Sequence, residues 1–276
     1  MRIKYKKNTG ILWFLIFFLI TSCSTGKYVT TEKKYHKKAK VFAKTYSETP
    51  SKQLEKVIVG EKQWIASPNF GVRKPNYVMI HHTAQNSLDQ TIKTFHNEQA
   101  EVSSHYVISR DGEVVQMVND YFRAHHAGAG KWGNDTDLNS SSIGIELDNN
   151  GTTDPWPEEQ INALLALLDY LKTTYNIPQK NFIGHMDYAP KRKIDPSRFP
   201  WKTLADSGFG YWYDDNLPPV PKDFDPKIAL RVIGYDVSDL NAAIRAFKIH
   251  YIQEDESPAL SADQLAILYN IMQKYL

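Results

Sequence analysis

Five side chains in the middle of this chain are of types that can hydrolyse an amide together: His81, Glu146, His185, Lys193 and Asp195. Two histidines and a carboxylate form a borderline-hard donor set that suits zinc and leaves a fourth position for water. Such a water is acidified enough to attack an amide at neutral pH. A carboxylate outside the donor set can take its proton, and a nearby cation can steady the oxyanion. Glu146 and Lys193 are the candidates for those two tasks. Residue type alone leaves alternatives open, because histidines far apart in sequence are commonly structural or exposed. Glu146 lies inside the apolar run Ile143-Gly144-Ile145-Glu146-Leu147 and equally suits a salt-bridged or edge-strand carboxylate. Burying it without a charged partner would cost free energy, which is what makes its position informative.

For these residues to meet, strands must carry them. Tyr77-Val78-Met79-Ile80 is a short apolar run that predicts a buried strand ending at His81. Ser87-Leu88-Asp89-Gln90 resembles a capping box, with Ile92 and Phe95 following on one helical face. His105 to Ser109 and Val114 to Val118 flank Asp111-Gly112, a hairpin signal. Ile143 to Leu147 predicts another strand, and Ile161, Leu164, Leu165, Leu168 and Leu171 recur at helical spacing. Asn181 to Gly184 predicts a last short strand before His185. The alternation implies an α/β fold with a mixed central sheet flanked by helices.

Leu217-Pro218-Pro219-Val220-Pro221 is a stiff break, after which a small three-helix domain is expected over 222–276. Ile228, Leu230 and Ile233 mark its first helix, Leu240, Ala243, Ile244 and Phe247 its second, and Ser261 caps a third.

The N-terminus reads as a secretory signal over 1–22. Arg2, Lys4, Lys6 and Lys7 precede the apolar run Ile11 to Ile20, which is too short to span a bilayer comfortably. Ile20-Thr21-Ser22-Cys23 resembles the lipobox of bacterial lipoproteins, and Cys23 is the only cysteine in the chain, so no internal disulfide competes for it. Lipidation of Cys23 would anchor the chain to a membrane, and Ser24 leans toward the outer one. Residues 23–55, rich in Lys, Thr and Ser, read as a solvated, flexible tether. A net charge of +2 on 276 residues demands no nucleic acid partner.

Six motifs occur in order: Ile80-His81-His82-Thr83-Ala84, Ser103-Ser104-His105-Tyr106-Val107-Ile108, His126-Ala127-Gly128, Ser142-Ile143-Gly144-Ile145-Glu146-Leu147, Gly184-His185-Met186-Asp187-Tyr188-Ala189-Pro190 and Arg192-Lys193-Ile194-Asp195-Pro196. Over residues 60 to 210 the chain resembles the zinc-dependent N-acetylmuramoyl-L-alanine amidases of the type-2 family, relatives of the peptidoglycan recognition proteins. The resemblance implies an amidase domain over 56–215 that holds one zinc ion on His81, His185 and Asp195, with Glu146 as general base, Lys193 as oxyanion stabiliser and His126 beside the substrate groove. The substrate so implied is peptidoglycan or its muropeptides, cut between N-acetylmuramic acid (or its 1,6-anhydro form) and L-alanine in the cell envelope. The segment 222–276 is similar to a small peptidoglycan-binding helical domain. One departure stands out: Asp195-Pro196-Ser197-Arg198-Phe199-Pro200-Trp201 lacks the glycine common in this branch, which bears on the local loop.

Of the remaining histidines, His82 should point to the opposite face of its strand from His81. His105 reads as structural, His96 and His125 as exposed, and His250 has no evident partner. Asp187 could orient His185 or serve a turn. Two further functions compete with catalysis: a non-catalytic peptidoglycan-binding lipoprotein, which some relatives with this fold have become by losing a ligand, and a purely structural lipoprotein.

Overall fold

The computed structural model describes residues 26–47 and 72–276, which belong to two compact units dividing after Pro68. The signal segment expected over 1–22 and Cys23 lie outside the described residues. The first unit contributes helix α1 (Val29–Ser47). Composition pointed to a flexible tether here, and the helix is the difference. Lys and Ala are strong helix formers, the stretch contains no Gly or Pro, and Glu32 and Lys44 complement the helix dipole at its two ends. Apolar periodicity records packing against a core, so a solvated helix leaves little trace of it. No helix among the described residues is long and apolar enough to cross a membrane.

The second unit is built on a five-stranded sheet of order β3-β2-β4-β1-β5. Its strands are β1 (Tyr77–His82), β2 (Tyr106–Ile108), β3 (Val114–Gln116), β4 (Ser142–Leu147) and β5 (Phe182–Gly184). All neighbours run parallel except β2 and β3, the hairpin that Asp111-Gly112 turns. The sheet is therefore mixed, as its alternating pattern implied. Parallel strands need crossovers. Helices α2 (Leu88–His96), α3 (Leu138–Ser141), α4 (Glu158–Tyr175), α5 (His185–Tyr188) and α6 (Trp201–Asp206) lie between or after them. Ser87 caps α2 by accepting from Gln90 N–H, while Gln90 reaches back to Asn86 rather than to the cap itself. The stripe Ile161, Leu164, Leu168 and Leu171 of α4 is buried against the sheet.

Three helices follow the proline break: α7 (Pro226–Ile233), α8 (Leu240–Tyr251) and α9 (Ala262–Tyr275). Leu230, Ala243, Phe247, Leu268 and Ile271 are buried in one core with Tyr188, Phe199 and Trp201 of the sheet-bearing part. Ile228, which marks the same helix, is 58% exposed. The seam is close: Gly133 N–H donates to Gly234 O at 2.7 Å, and Gly234 adopts φ 135° where any side chain would collide with the Trp132 indole.

Candidate metal centre

β1 sits between β4 and β5, and its carboxyl end carries His81. Ile80 is in register with Gly184 of β5, so His185, the first residue of α5, emerges beside His81. The chain then turns back, and Asp195 O accepts from Met186 N–H at 2.9 Å. The three side chains converge. His81 Nδ1 is 3.0 Å from His185 Nδ1 and 3.1 Å from Asp195 Oδ2, and His185 Nδ1 is 3.0 Å from the same oxygen. All three residues are buried. Among the described residues they form the one such cluster of potential metal donors.

The hydrogen bonds behind the cluster fix its protons. His185 Nε2–H donates to Ala127 O at 2.8 Å, so Nδ1 carries a lone pair. Behind His81 a chain of donors ends in a carbonyl. Ser142 Oγ–H donates to Leu138 O, so His126 Nε2–H donates to Ser142 Oγ at 3.2 Å. His126 Nδ1 then accepts from His81 Nε2–H at 3.1 Å, which leaves His81 Nδ1 unprotonated. Burial and the neighbouring His185 push His81 down to about 4.

Two neutral imidazole lone pairs and a carboxylate oxygen thus point at one another with no proton to share. Donors about 2.0–2.1 Å from a tetrahedral zinc lie roughly 3.3 Å apart, close to the spacing here. The residues present fit the ion.

Glu146 is the register partner of His81 on β4. β4 is an inner strand and Glu146 makes no ion pair among the described residues, so neither bland alternative for it holds. Its Oε2 is shielded from water and has no hydrogen-bond partner. Burial, then the nearby Asp195 charge, push it up to about 8, against the pull of Lys193. Lys193 follows α5 with its backbone N–H on Ala189 O at 3.0 Å; its side chain is half-buried, and its charge is felt by Glu146, His81 and His82.

His126 lies under His81, with the two rings edge to face at 5.2 Å. It occupies space over Gly144, where a Cβ would meet its Cδ2 at 2.6 Å. The glycine in the Ser142–Leu147 motif is thus the room for this ring. Burial and the surrounding His81, His105 and His185 hold His126 well below its ordinary range.

His82 turns away, packs against Gly151 and accepts from Ser197 N–H at 3.3 Å. His105 is structural: its Nδ1 accepts from Gly144 N–H at 3.0 Å and its Nε2–H donates to Phe122 O at 3.1 Å. His125 is exposed, whereas His96 is half-buried on Ile92 O at 2.7 Å. Asp187 does not reach His185. Its carboxylate accepts from Gly184 N–H, from Tyr235 and from His250, the partner that sequence could not supply. The loop lacking the family glycine still delivers Asp195 to both histidines. Sequence reasoning missed Ser142 and the Ala127 carbonyl. The first stood in a quoted motif, and the second carries no residue-type signal.

Comparison with known proteins agrees with this geometry. The family described as N-acetylmuramoyl-L-alanine amidase matches residues 71–198. AmiD of Escherichia coli (strain K12), an N-acetylmuramoyl-L-alanine amidase, is 32% identical over 230 residues, covering 72% of this chain and 82% of AmiD. AmpD of Haemophilus influenzae, a 1,6-anhydro-N-acetylmuramyl-L-alanine amidase, is 31% identical over 180 residues, 56% of this chain and 97% of AmpD. The solved complex of E. coli AmiD with anhydro-N-acetylmuramic acid-L-Ala-D-gamma-Glu-L-Lys superposes with a TM-score of 0.66 at 29% identity, covering 78% of this chain and 95% of that one. AmpDh3 from Pseudomonas aeruginosa bound to an anhydromuramic pentapeptide gives 0.66 at 28% identity, covering 79% and 99%.

Proposed function

The chain belongs to the N-acetylmuramoyl-L-alanine amidase family, and we propose that it cuts cell-wall muropeptides with Glu146 as proton carrier and Lys193 as oxyanion stabiliser. It is a zinc-dependent hydrolase of the amide bond between N-acetylmuramic acid, or its 1,6-anhydro form, and the L-alanine of the stem peptide. His81, His185 and Asp195 would hold the ion. When bound, zinc polarises the scissile carbonyl and lowers the pKa of water.

The protein's own residues supply the rest. Glu146 Oε2, with no partner of its own, takes the proton from the attacking water. Its raised pKa suits the return of that proton to the alanine nitrogen as the C–N bond breaks. Lys193 brings a positive charge to the side where the carbonyl oxygen becomes negative. His126 borders the groove and, through His81, fixes the ligand tautomer.

The observation that carries this function is the unpartnered Glu146 carboxyl in register with a zinc ligand. A module that only bound muropeptide would have no use for a shielded carboxylate oxygen without a partner, which costs stability.

The N-terminal reading supports a place for the reaction. Residues 1–22 act as a signal peptide, Cys23 receives lipid, and 23–55 carry the amidase domain (56–215) away from an outer-membrane anchor. The helices of 222–276 add contacts to wall polymer.

Digestion of defined muropeptides, intact and 1,6-anhydro, with products identified by mass, tests the proposal. Release of stem peptides starting at L-alanine is expected, and zinc-loaded protein that releases none would leave only binding.

A further inference from the structure

Two of the three zinc ligands sit on short segments that α8 and the turn before it hold from behind. The first hold runs through Asp187. Its carboxylate is fully buried, and Oδ2 accepts the backbone N–H of Gly184, the residue before His185, at 2.8 Å. The same oxygen accepts from His250 Nδ1–H on α8 at 2.8 Å, and Oδ1 accepts from the Tyr235 hydroxyl at 2.7 Å. The turn presenting His185 is thus set by a carboxylate whose own place is set by two C-terminal residues.

The second hold is on the Asp195 segment. Gln253 Nε2, just past the end of α8, donates to Phe199 O at 2.6 Å. The His250 ring stacks on Trp201 with centroids 4.0 Å apart, and Trp201 opens α6 directly after that segment. His81 receives no such support. It lies on a strand paired on both sides and does not need it.

We infer that the C-terminal helices are a brace for the metal centre: His250, Tyr235 and Gln253 are positioning residues that set the approach of His185 and Asp195 and thereby zinc affinity. The inference rests on the zinc-amidase function above and gives 222–276 a task apart from wall contact. The physical cause is polar satisfaction at a buried carboxylate. Removing one partner leaves Asp187 short of a donor in a site closed to water, and the carboxylate relieves this by moving. Gly184 N–H, and with it His185, moves too. Mutating the groups that orient metal ligands typically costs 10–100-fold in metal affinity.

Zinc affinity of the full chain, measured by competition with a chromophoric chelator well below the unfolding temperature, tests this. His250→Phe keeps a ring over Trp201 and loses the donor; it should bind zinc roughly 10–100-fold more weakly. Tyr235→Phe removes one hydroxyl and should show a smaller loss, which keeps the test decisive where His250→Phe does not fold. Asn270→Ala is the control. Asn270 is buried on α9 and bonds Asp214, away from Asp187, so this variant should lower Tm and leave zinc affinity unchanged. Wild-type affinity in both the His250 and Tyr235 variants, or an equal loss in Asn270→Ala, would overturn the brace alone. Wild-type protein that takes up no zinc would overturn the zinc function and the brace together.

Discussion

His81 and Glu146 are register partners on adjacent parallel strands, so a metal ligand and an unpartnered acid stand side by side on one face of the sheet. The ladder sets their spacing, and no loop has to close to bring them together. Replacing the acid is therefore expected to spare the ligands. Glu146→Gln keeps the shape of the side chain and loses the base. Stem-peptide release should fall roughly 10²–10⁴-fold while zinc, read by metal analysis, stays near one ion per chain. Release within a few-fold of wild type would remove Glu146 from its role.

The same carboxyl makes the metal-free protein sensitive to alkali. In the fold its pKa is pushed from 4.5 up to about 8 by burial and by Asp195. The folded state binds this proton more tightly than the unfolded chain does. That advantage is complete below about pH 4.5 and is lost as pH rises through 8. His81 and His105 act oppositely. Both are pushed from 6.5 down to about 4, mainly by burial, so their stabilising contribution is lost as pH falls from 6.5 toward 4. In chelator, the Tm of wild type should drop between pH 5 and pH 8 relative to Glu146→Gln, at about 2–4 °C per kcal/mol for a chain of this size. Added zinc should narrow that gap, since a cation favours the carboxylate. Parallel Tm curves in chelator would show that Glu146 is not destabilised by its surroundings.

Gly144 supplies a steric prediction. A Cβ there would press into the His126 ring, and His126 fixes the proton on His81. Overpacking of this kind costs about 1–3 kcal/mol. Gly144→Ala should lower stability by that amount, read as a fall in Tm of about 2–4 °C per kcal/mol, and weaken zinc binding as well. Loss of stability with unaltered zinc affinity would separate His126 from the ligand.

The anchor proposal gives a prediction about location. Wild-type protein produced in a bacterium should fractionate with membranes and incorporate labelled fatty acid, and Cys23→Ser should do neither. Label in the Cys23→Ser protein would exclude this cysteine as the attachment point.

Much of this molecule was legible before its structure. The β1, β4 and β5 runs carry apolar residues up to the point where His81, Glu146 and His185 stand, so strand ends and reactive groups were found together. Other parts were illegible for physical reasons. The acceptor for His185 is the Ala127 carbonyl, which every residue possesses. Asp187 and His250 are 63 positions apart, and neither side chain marks its partner. None of the described side chains of α1 is buried, so the helix needs no apolar stripe. Ile228 lies about 200° around α7 from Leu230, so it stands in water while Ala229, Leu230 and Ile233 face inward.

The ligands also differ in how far apart they lie along the chain. His185 and Asp195 are 10 residues apart, whereas His81 is 104 residues from the first and 114 from the second. Closing the longer loop costs roughly 2 kcal/mol more than closing the short one. An unfolded chain therefore offers zinc two nearby donors and a distant third, a poor trap. High-affinity capture waits until β1 and β5 are paired, so metal arrives as a seal on a finished fold and not as the seed around which it forms.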